Sequence, residues 1–241
     1  MFKNKLKSNA KKIDLFLKNY LKSQKRSLLI NPMNYGVLSG GKKIRSSIIF
    51  AAGKLYNLKS NNLLNICGAV ECIHSYSLIH DDLPCMDNDK LRRGKAAAHI
   101  KYGESTAVLA GNSLLTLAFE MISDKRFKIK DNNKISLIKK LAECSGHTGI
   151  AGGQELDLKY EKKRKKFKEI INMQRKKTGK LFGFCCFAAG QIAGQSKKAN
   201  IELVKLGEDI GLLFQLADDF LDVKGKSKYT GKKVNKDKKK G

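Results

Sequence analysis

The sequence has no tryptophan, only two prolines (Pro32 and Pro84) and few acidic residues: 22 aspartates and glutamates stand against 49 lysines and arginines. Leu, Ile, Ala and Lys fill the segments between glycines, and strict alternation of apolar and polar residues is hard to find. This pattern favours helices over sheets. The hydrophobic content of 41% and charged content of 29% are typical of a soluble globular protein. With 241 residues, we expect one core and a single domain over residues 1–241.

Other absences narrow the class of protein. None of the six cysteines has the C-x-x-C spacing, which argues against a zinc knuckle and against a thioredoxin-like site. The N-terminus lacks the apolar segment of a secretory signal, and no apolar run approaches membrane-spanning length. We therefore expect reduced thiols, a cytoplasmic location and no membrane span.

The formal net charge of +27 raises the question of an anionic partner. The more specific interpretation is that the protein binds a nucleic acid or an anionic membrane. However, the lysines are spread along the whole chain and lack interleaved aromatic residues, and no RNA-binding or zinc-finger pattern is present. We interpret the charge as solvated helix faces and predict no nucleic-acid partner. Steeply salt-dependent DNA binding would contradict this prediction.

Apolar spacing predicts a helical bundle. Residues 31–39 and 124–134 read as loops, residues 162–168 as a run of charge, and residues 224–241 have no apolar period. Helices are predicted over residues 13–30, from Gly40 onwards, and over 61–82, 104–122, 134–158, 167–190 and 201–223. We find no strict internal repeat and no linker rich in proline or serine, so a single all-α bundle is the economical fold.

Two acidic clusters follow apolar helical segments. The first lies in "SLIHDDLPCMDNDKLRRG", and the second is "DDFLD"; they contain Asp81, Asp82, Asp87 and Asp89, and Asp218, Asp219 and Asp222. Carboxylates at the C-terminal part of a helix meet the negative end of its dipole, which is unfavourable unless a cation is bound. A solvated helix end is an equal alternative for one cluster, but two clusters favour a divalent ion. Magnesium takes carboxylate and phosphate oxygens, so we predict a magnesium-bound phosphate ester held between facing clusters.

Basic residues accompany the acidic clusters. Lys42 and Arg45 follow two glycines at a predicted helix start, where free backbone N–H groups favour an anion. Arg92 and Arg93 come soon after the first acidic cluster, and "KKTGK" contains Lys177, Thr178 and Lys180. Together with the aspartates, they predict two anion sites, one bridged by magnesium and one held by cations alone. His74 and Ser77 share a helix face with Asp81 by their spacing, which favours a ligand contact for His74.

The motifs resemble the trans-polyprenyl diphosphate synthase family, specifically its bacterial farnesyl diphosphate synthase type. The resemblance is carried by "GGKKIRS", "ECIHSYSLIHDDLPCMDNDKLRRG", "LAGNSLLTLAFE", "GGQELDL", "KKTGKLF" and "FQLADDFLD", in order, from about Gly40 to Lys239. It implies an all-α isoprenoid synthase bundle around a deep central cavity, usually a homodimer. It also implies the condensation of isopentenyl diphosphate with dimethylallyl or geranyl diphosphate.

The resemblance also implies residue roles. Magnesium would be held by Asp81, Asp82, Asp87, Asp218 and Asp222. Isopentenyl diphosphate would be bound by Gly41, Lys42, Arg45, His74 and Arg93. The allylic diphosphate would be contacted by Arg92, Lys177, Thr178, Gln215 and Lys232. Of these residues, Asp81, Asp82, Asp87, Lys177, Thr178 and Gln215 would carry the catalytic step.

Product length is predicted from the start of the first acidic motif. In the family, an aromatic residue five places before the first aspartate, with two extra residues inside the motif, goes with a farnesyl product. Tyr76, Pro84 and Cys85 fit this pattern, and Ser77 lies one turn before Asp81. We predict farnesyl diphosphate, with a longer product such as geranylgeranyl diphosphate as the alternative.

The sequence departs from the family at its end, which is "NKDKKKG", where family members continue with further helices. A non-catalytic or inactive shortened synthase subunit is therefore a second hypothesis. A terpene cyclase is a third, against which "GGKKIR" and "DDFLD" argue.

Overall fold

In the computed structural model, the described residues run from 2 to 224, with side chains described from 3 to 221. The helices are α1 Phe2–Lys22, α2 Ile30–Val37, α3 Ile44–Leu55, α4 Leu64–Asp81, α5 Ala98–Tyr102, α6 Glu104–Ser123, α7 Asp131–Ser145, α8 Ile150–Tyr160, α9 Phe167–Gln174, α10 Lys180–Ile192 and α11 Lys197–Lys224. A 3₁₀ turn, Ser60–Leu63, precedes α4, and a π-helical turn, Arg175–Gly179, joins α9 to α10. Within this range the only sheet is a hairpin of two short strands, β1 Leu91–Arg92 and β2 Lys95–Ala96. The predicted all-α class is confirmed.

The described residues form two compact units, divided within α7 between Ile138 and Lys139. The single-domain arrangement stays a prediction. In the first unit α4 is the central helix, buried on nearly every side between Ile66 and Ile79. It packs mainly against α6 and is also contacted by α1, α2 and α3. A helix that is apolar all round belongs in a core, and burying α4 in this way fixes the direction in which it delivers Asp81.

In the second unit α10 packs along α11. The two helices come close because glycines meet at the contact: a Cβ on Gly207 of α11 would lie 2.6 Å from the Cα of Gly183 of α10. Phe182 and Phe184 of α10 are fully buried. This packing fixes the register between the π-helical turn that precedes α10 and the middle of α11, where several of the predicted site residues lie.

Three of the predicted segments had wrong boundaries. Residues 31–39 were predicted as a loop because of Pro32 and Gly36, but α2 spans Ile30–Val37. Pro32 lies in the first turn of that helix, where a backbone N–H has no helical partner to lose. The first helix spans Phe2–Lys22 rather than residues 13–30, so both of its ends were wrong. The predicted helix over 134–158 is two helices, α7 and α8, with an interruption around Gly146 and Gly149.

One helix of the first unit, Glu104–Ser123, is long and apolar enough to cross a membrane by length and composition alone. The expectation that no apolar run approaches that length was therefore too strong. Its inner face, which includes Ala107, Ala110, Leu114 and Met121, is buried in the first unit. One such helix is weak evidence for a membrane span, because the core helix of a soluble protein passes the same test of length and composition.

Candidate active site

The first acidic motif is a loop folded back onto the end of α4. Asp81 is the last helical residue, and the following loop contains Pro84, which cannot donate a helical hydrogen bond. The backbone N–H of Asp87 donates to the carbonyl of Asp81 at 2.9 Å, and that of Asp89 donates to the carbonyl of Asp82 at 3.2 Å. Asp87 is therefore brought back beside Asp81, and both side chains are partly exposed.

Asp82 has a different environment, because its side chain is only 3% exposed. Arg92 binds it with two groups: Nε donates to Oδ1 at 3.0 Å and to Oδ2 at 3.1 Å, and Nη2 also donates to Oδ1. Burial raises the pKa of Asp82, and the Arg92 guanidinium opposes that shift. Burial also works against the charge of Arg92, but Asp82, Asp81 and Asp89 outweigh it and raise the pKa of Arg92.

Arg92 and Arg93 are held by the hairpin, which was not predicted from the sequence. Arg92 pairs with Lys95 across the two strands. The two turn residues, Arg93 and Gly94, have φ angles of 54° and 75°. Two consecutive positive φ angles are what a type I′ hairpin turn requires, so "RRGK" is the local signal. The turn allows the two adjacent arginines to reach different partners.

Arg93 reaches the loop before α3. Its Nη1 donates to Ser39 Oγ at 3.2 Å and to the carbonyl of Gly40. Gly41 lies against the same guanidinium: a Cβ at this position would be 2.8 Å from Arg93 Cζ. Burial lowers the pKa of Arg93, and the carboxylate of Glu71 opposes the shift. Lys42, next along the loop, is exposed.

His74 lies on α4 within the influence of these cations. Burial lowers the pKa of His74, and the charges of Arg45, Arg93 and Lys43 lower it further. The neutral imidazole is therefore favoured, with a ring N–H available as a donor. Four of the residues predicted for isopentenyl diphosphate are thus brought together in the first unit: Gly41, Arg45, His74 and Arg93.

Two buried residues beside this cluster were missed at the sequence level. Lys43 is 6% exposed and Glu71 is 2% exposed, and their side chains form an ion pair with an Nζ to Oε2 distance of 3.7 Å. Glu71 had a signal in the sequence, because it is the one acidic residue inside the apolar stretch "CGAVECIHSY". Lys43 had none, since it is the second of two adjacent lysines that look alike in the sequence.

The two residues predicted to set product length both lie on α4. Tyr76 is 9% exposed, and its ring meets His80 edge-on, with 5.7 Å between the ring centroids. Ser77 is partly exposed, and its hydroxyl donates to the carbonyl of His74 at 2.9 Å. A cavity of about 30 Å³ between α2, α4 and the hairpin has room for little more than a water molecule. The deep cavity implied by the family resemblance stays a prediction.

In the second unit, the predicted residues Lys177 and Thr178 lie on the π-helical turn Arg175–Gly179. Such turns are rare and are frequently found at functional sites. Lys177 Nζ donates to Asp157 Oδ2 of α8 at 2.6 Å. Thr178 Oγ1 donates to Gln215 Oε1 of α11 at 3.2 Å. The structure therefore brings Thr178 and Gln215 into direct contact, as expected if they act together.

The second acidic motif lies on α11 in the same unit. Asp219 accepts a hydrogen bond at 2.8 Å from each of two glutamines, Gln215 and Gln174. Asp218 is exposed. The side chain of Asp222 and the whole of Lys232 lie outside the described residues. The predicted facing of the two acidic motifs stays a prediction.

A metal ion held by the protein alone would need several ligating side chains in one place. Among the described residues, no group of three or more His, Cys, Asp or Glu side chains could hold an ion by itself. Magnesium, however, commonly takes only one or two protein carboxylates and completes its shell with water and substrate phosphate. Asp81 and Asp87, held together by the folded-back loop, supply such a pair. The residues present therefore fit magnesium that arrives with a diphosphate, and do not fit a closed protein site.

Comparison with known proteins identifies the family to which this chain belongs. The family described as Polyprenyl synthetase matches residues 26–241. Farnesyl diphosphate synthase of Escherichia coli (strain K12) is 43% identical over 211 residues, covering 87% of this chain and 71% of the relative. Farnesyl diphosphate synthase of Bacillus subtilis (strain 168) is 39% identical over 217 residues, covering 89% of this chain and 71% of the relative. The chain belongs to the polyprenyl synthetase family.

A solved structure agrees with this assignment. The apo structure of an FPP/GFPP synthase from Zymomonas mobilis superposes with a TM-score of 0.85 at 39% sequence identity. The match covers 92% of this chain and 81% of that one. At this identity the likeness extends beyond the fold to the sequence, so the family resemblance predicted from the motifs is confirmed.

Proposed function

We propose that this protein is a farnesyl diphosphate synthase. It condenses isopentenyl diphosphate with dimethylallyl diphosphate, and then with geranyl diphosphate, to give farnesyl diphosphate. The names of the relatives at about 40% identity support the activity. The observation that carries the assignment is the cluster of Gly41, Arg45, His74 and Arg93, since an enzyme that joins two diphosphates needs a second anion site.

Magnesium is the proposed ion. Asp81 and Asp87 would hold it. The family resemblance also assigns Asp218 and Asp222 of the second acidic motif to the ion. Asp82 is not assigned as a ligand, because both of its oxygens accept hydrogen bonds from Arg92. When bound with the allylic diphosphate, the ion supplies positive charge that favours departure of that diphosphate.

The chain's own residues bind and orient the reactants. The bond between the allylic C1 and its oxygen breaks, and the electron pair leaves with the diphosphate. Arg92 binds Asp82 through Nε and Nη2, so we assign its Nη1 to a phosphate oxygen of that leaving group. The double bond of isopentenyl diphosphate attacks C1, while Arg45, Arg93 and neutral His74 hold its diphosphate. A proton is then lost from C2 of the isopentenyl unit, and the departed diphosphate accepts it.

Thr178, Gln215 and Lys177 are the proposed contribution of the second unit. Thr178 and Gln215 hold each other by a hydrogen bond, and Asp219 fixes the amide of Gln215. A pair of oriented dipoles of this kind suits a developing allylic cation, because it needs no rearrangement during the reaction. Lys177, which is paired with Asp157, is assigned to the allylic diphosphate.

A cytoplasmic location and a homodimer are also proposed. The six cysteines are all free, which is in keeping with a reducing compartment. The homodimer rests on the family resemblance, and sedimentation equilibrium of the purified chain tests it.

The decisive assay incubates the purified chain with labelled isopentenyl diphosphate and geranyl diphosphate, with magnesium or with EDTA. We expect a farnesyl product only with magnesium. Asp81→Asn should lower kcat by about 100-fold or more, because removal of one group that stabilises transition-state charge typically costs that much. Asp131→Asn is the matched control, since this aspartate of the first unit is 91% exposed and should leave the rate unchanged.

Each outcome decides between the hypotheses. A labelled product longer than farnesyl diphosphate supports prenyl transfer but refutes the proposed product. The name of the Zymomonas mobilis structure, an FPP/GFPP synthase, makes a longer product a specific alternative. Absence of any labelled product with the wild-type chain contradicts the proposal and favours a non-catalytic subunit.

A further inference from the structure

Lys43 is a buried residue that lies in the sequence between Lys42 and Arg45, the two residues assigned to the diphosphate of isopentenyl diphosphate. It has a φ of 47°, in the left-handed region, directly before α3 begins. Its Nζ donates to the carbonyl of Val37 at 2.7 Å and lies 3.5 Å from Asp14 Oδ1. A buried ammonium and a left-handed backbone at a lysine are each unfavourable alone. The conformation therefore depends on these side-chain contacts.

Glu71 completes the arrangement from α4. It faces Lys43 Nζ at 3.7 Å and accepts a hydrogen bond from Ser46 Oγ at 2.7 Å. Ser46 lies in the first turn of α3, and Glu71 lies three residues before His74 on α4. One buried carboxylate therefore ties together the loop before α3, the first turn of α3, and the turn of α4 that presents His74.

Charge balance gives the same carboxylate a second effect. Lys43, Arg45 and Arg93 all act on His74, so the cluster carries like charges at short range. The carboxylates of Glu71 and Asp14 act on Arg93 in the opposite sense and favour its charged form. They offset repulsion that would otherwise spread the cations apart before a diphosphate arrives.

We propose that Lys43 and Glu71 are a positioning pair for the isopentenyl diphosphate site: without touching the substrate, they hold Gly41, Lys42 and Arg45 in the conformation that binds its diphosphate. This inference rests on the proposed function. The proposal adds two buried residues that act on the site through its binding residues. It also explains why the loop has a buried lysine, Lys43, next to an exposed one, Lys42.

The test measures isopentenyl diphosphate in two ways, by equilibrium binding in isothermal titration calorimetry and by its KM with geranyl diphosphate saturating. For Lys43→Met and Glu71→Gln we expect Kd and KM for isopentenyl diphosphate to rise about tenfold or more, because small displacements of binding groups have large effects. The KM for geranyl diphosphate should stay within about twofold, and kcat at saturation within about threefold. Lys54→Met, an exposed lysine at the end of α3, is the matched control and should change neither constant.

A double variant separates positioning from stability. Lys43→Met with Glu71→Gln removes both charges, so its Tm should recover relative to either single variant, while the Kd for isopentenyl diphosphate stays raised because the tether is still missing. A merely structural pair would make Tm and Kd recover together, and that result would overturn the proposal. Ser46→Ala, which removes one hydrogen bond to Glu71, should fold in any case and raise the Kd by a smaller factor.

The two measurements keep the hypotheses apart. If the wild-type chain binds isopentenyl diphosphate but shows no turnover, the proposed function is refuted. The positioning pair is then still tested by the Kd of the variants. An unchanged Kd in Glu71→Gln and Ser46→Ala, or an equal rise in KM for both substrates, refutes the positioning pair alone.

Discussion

The buried pair of Asp82 and Arg92 gives the most direct prediction for stability. The change is Asp82→Asn, which keeps the size of the side chain and removes its charge. The Asp82 side chain is 3% exposed and that of Arg92 is 15% exposed, so the guanidinium would remain buried without its carboxylate. Removing one partner of such a pair costs about 3–5 kcal/mol. For a protein of this size we therefore expect Tm to fall by roughly 6–20 °C.

Asp89→Asn is the matched control for this substitution. Asp89 lies near the same guanidinium, but at 3.9 Å from Nη2 and with a side chain that is 23% exposed. An ion pair of that kind contributes about 0–1 kcal/mol. Urea unfolding measures both variants, together with Arg92→Gln and the double variant Asp82→Asn with Arg92→Gln. The double variant should be less destabilised than the sum of the single ones, because neither charge is then left buried alone.

The reasoning fails if Asp82→Asn costs no more free energy of unfolding than Asp89→Asn. It also fails if the two single effects add, because additivity means that Asp82 and Arg92 contribute independently. In either case the hairpin arginine is held by something other than Asp82, and the reason for leaving Asp82 out of the metal ligands is lost.

Three further predictions concern the site in the first unit. Gly41→Ala should raise the KM for isopentenyl diphosphate about tenfold, while Gly40→Ala, with a similar positive φ but nothing within 4 Å of the added carbon, should change it far less; initial rates decide. Tyr76→Ala should yield products longer than farnesyl diphosphate by chromatography of the dephosphorylated products, and an unchanged product length would refute its role. Because burial and neighbouring cations lower the pKa of His74, the unfolded chain gains a proton below about pH 6.5 that the folded chain does not, so the free energy of unfolding should fall there. His74→Gln should flatten that slope in urea titrations at pH 5.5 and 7.5, and an unaltered slope would contradict the assignment.

The sequence predicted the order of helices well, because periodic apolar segments leave few alternatives. The central helix was predicted over 61–82 and observed at Leu64–Asp81. The errors fell where local signals have two meanings. Pro32 can end a helix or begin one, and it lies in the first turn of α2. Gly146 and Gly149 can allow close packing or interrupt a helix, and here they separate α7 from α8.

The candidate site was predictable as far as its motifs are continuous in sequence. The residues of "GGKKIR" do come close to the other predicted residues, Gly41 to Arg93 and Arg45 to His74, and Thr178 of "KKTGK" contacts Gln215 of "FQLADDFLD". Their roles stay predictions. Contacts between distant segments could not be predicted in this way. The burial of Lys43 depends on Val37 and Glu71, which are 6 and 28 residues away in the chain, and nothing in the letters "KK" distinguishes the buried lysine from the exposed one.

The two acidic motifs share a feature that the sequence conceals. Each begins with two adjacent aspartates, and neighbouring side chains on a helix point about 100° apart, so both cannot face the same ligand. In the first pair Asp82 is buried against Arg92, while Asp81 is partly exposed. In the second pair Asp219 accepts hydrogen bonds from Gln174 and Gln215, while Asp218 is exposed.

This pattern gives each aspartate of a pair a different task. A metal that takes one or two protein carboxylates leaves the second aspartate of each pair free to anchor neighbouring polar side chains. Asp82 fixes Arg92, which we assign to the leaving diphosphate, and Asp219 fixes Gln215, which we assign to the cation. Identical letters in "DD" therefore describe one residue that is more exposed and one that binds neighbouring polar side chains.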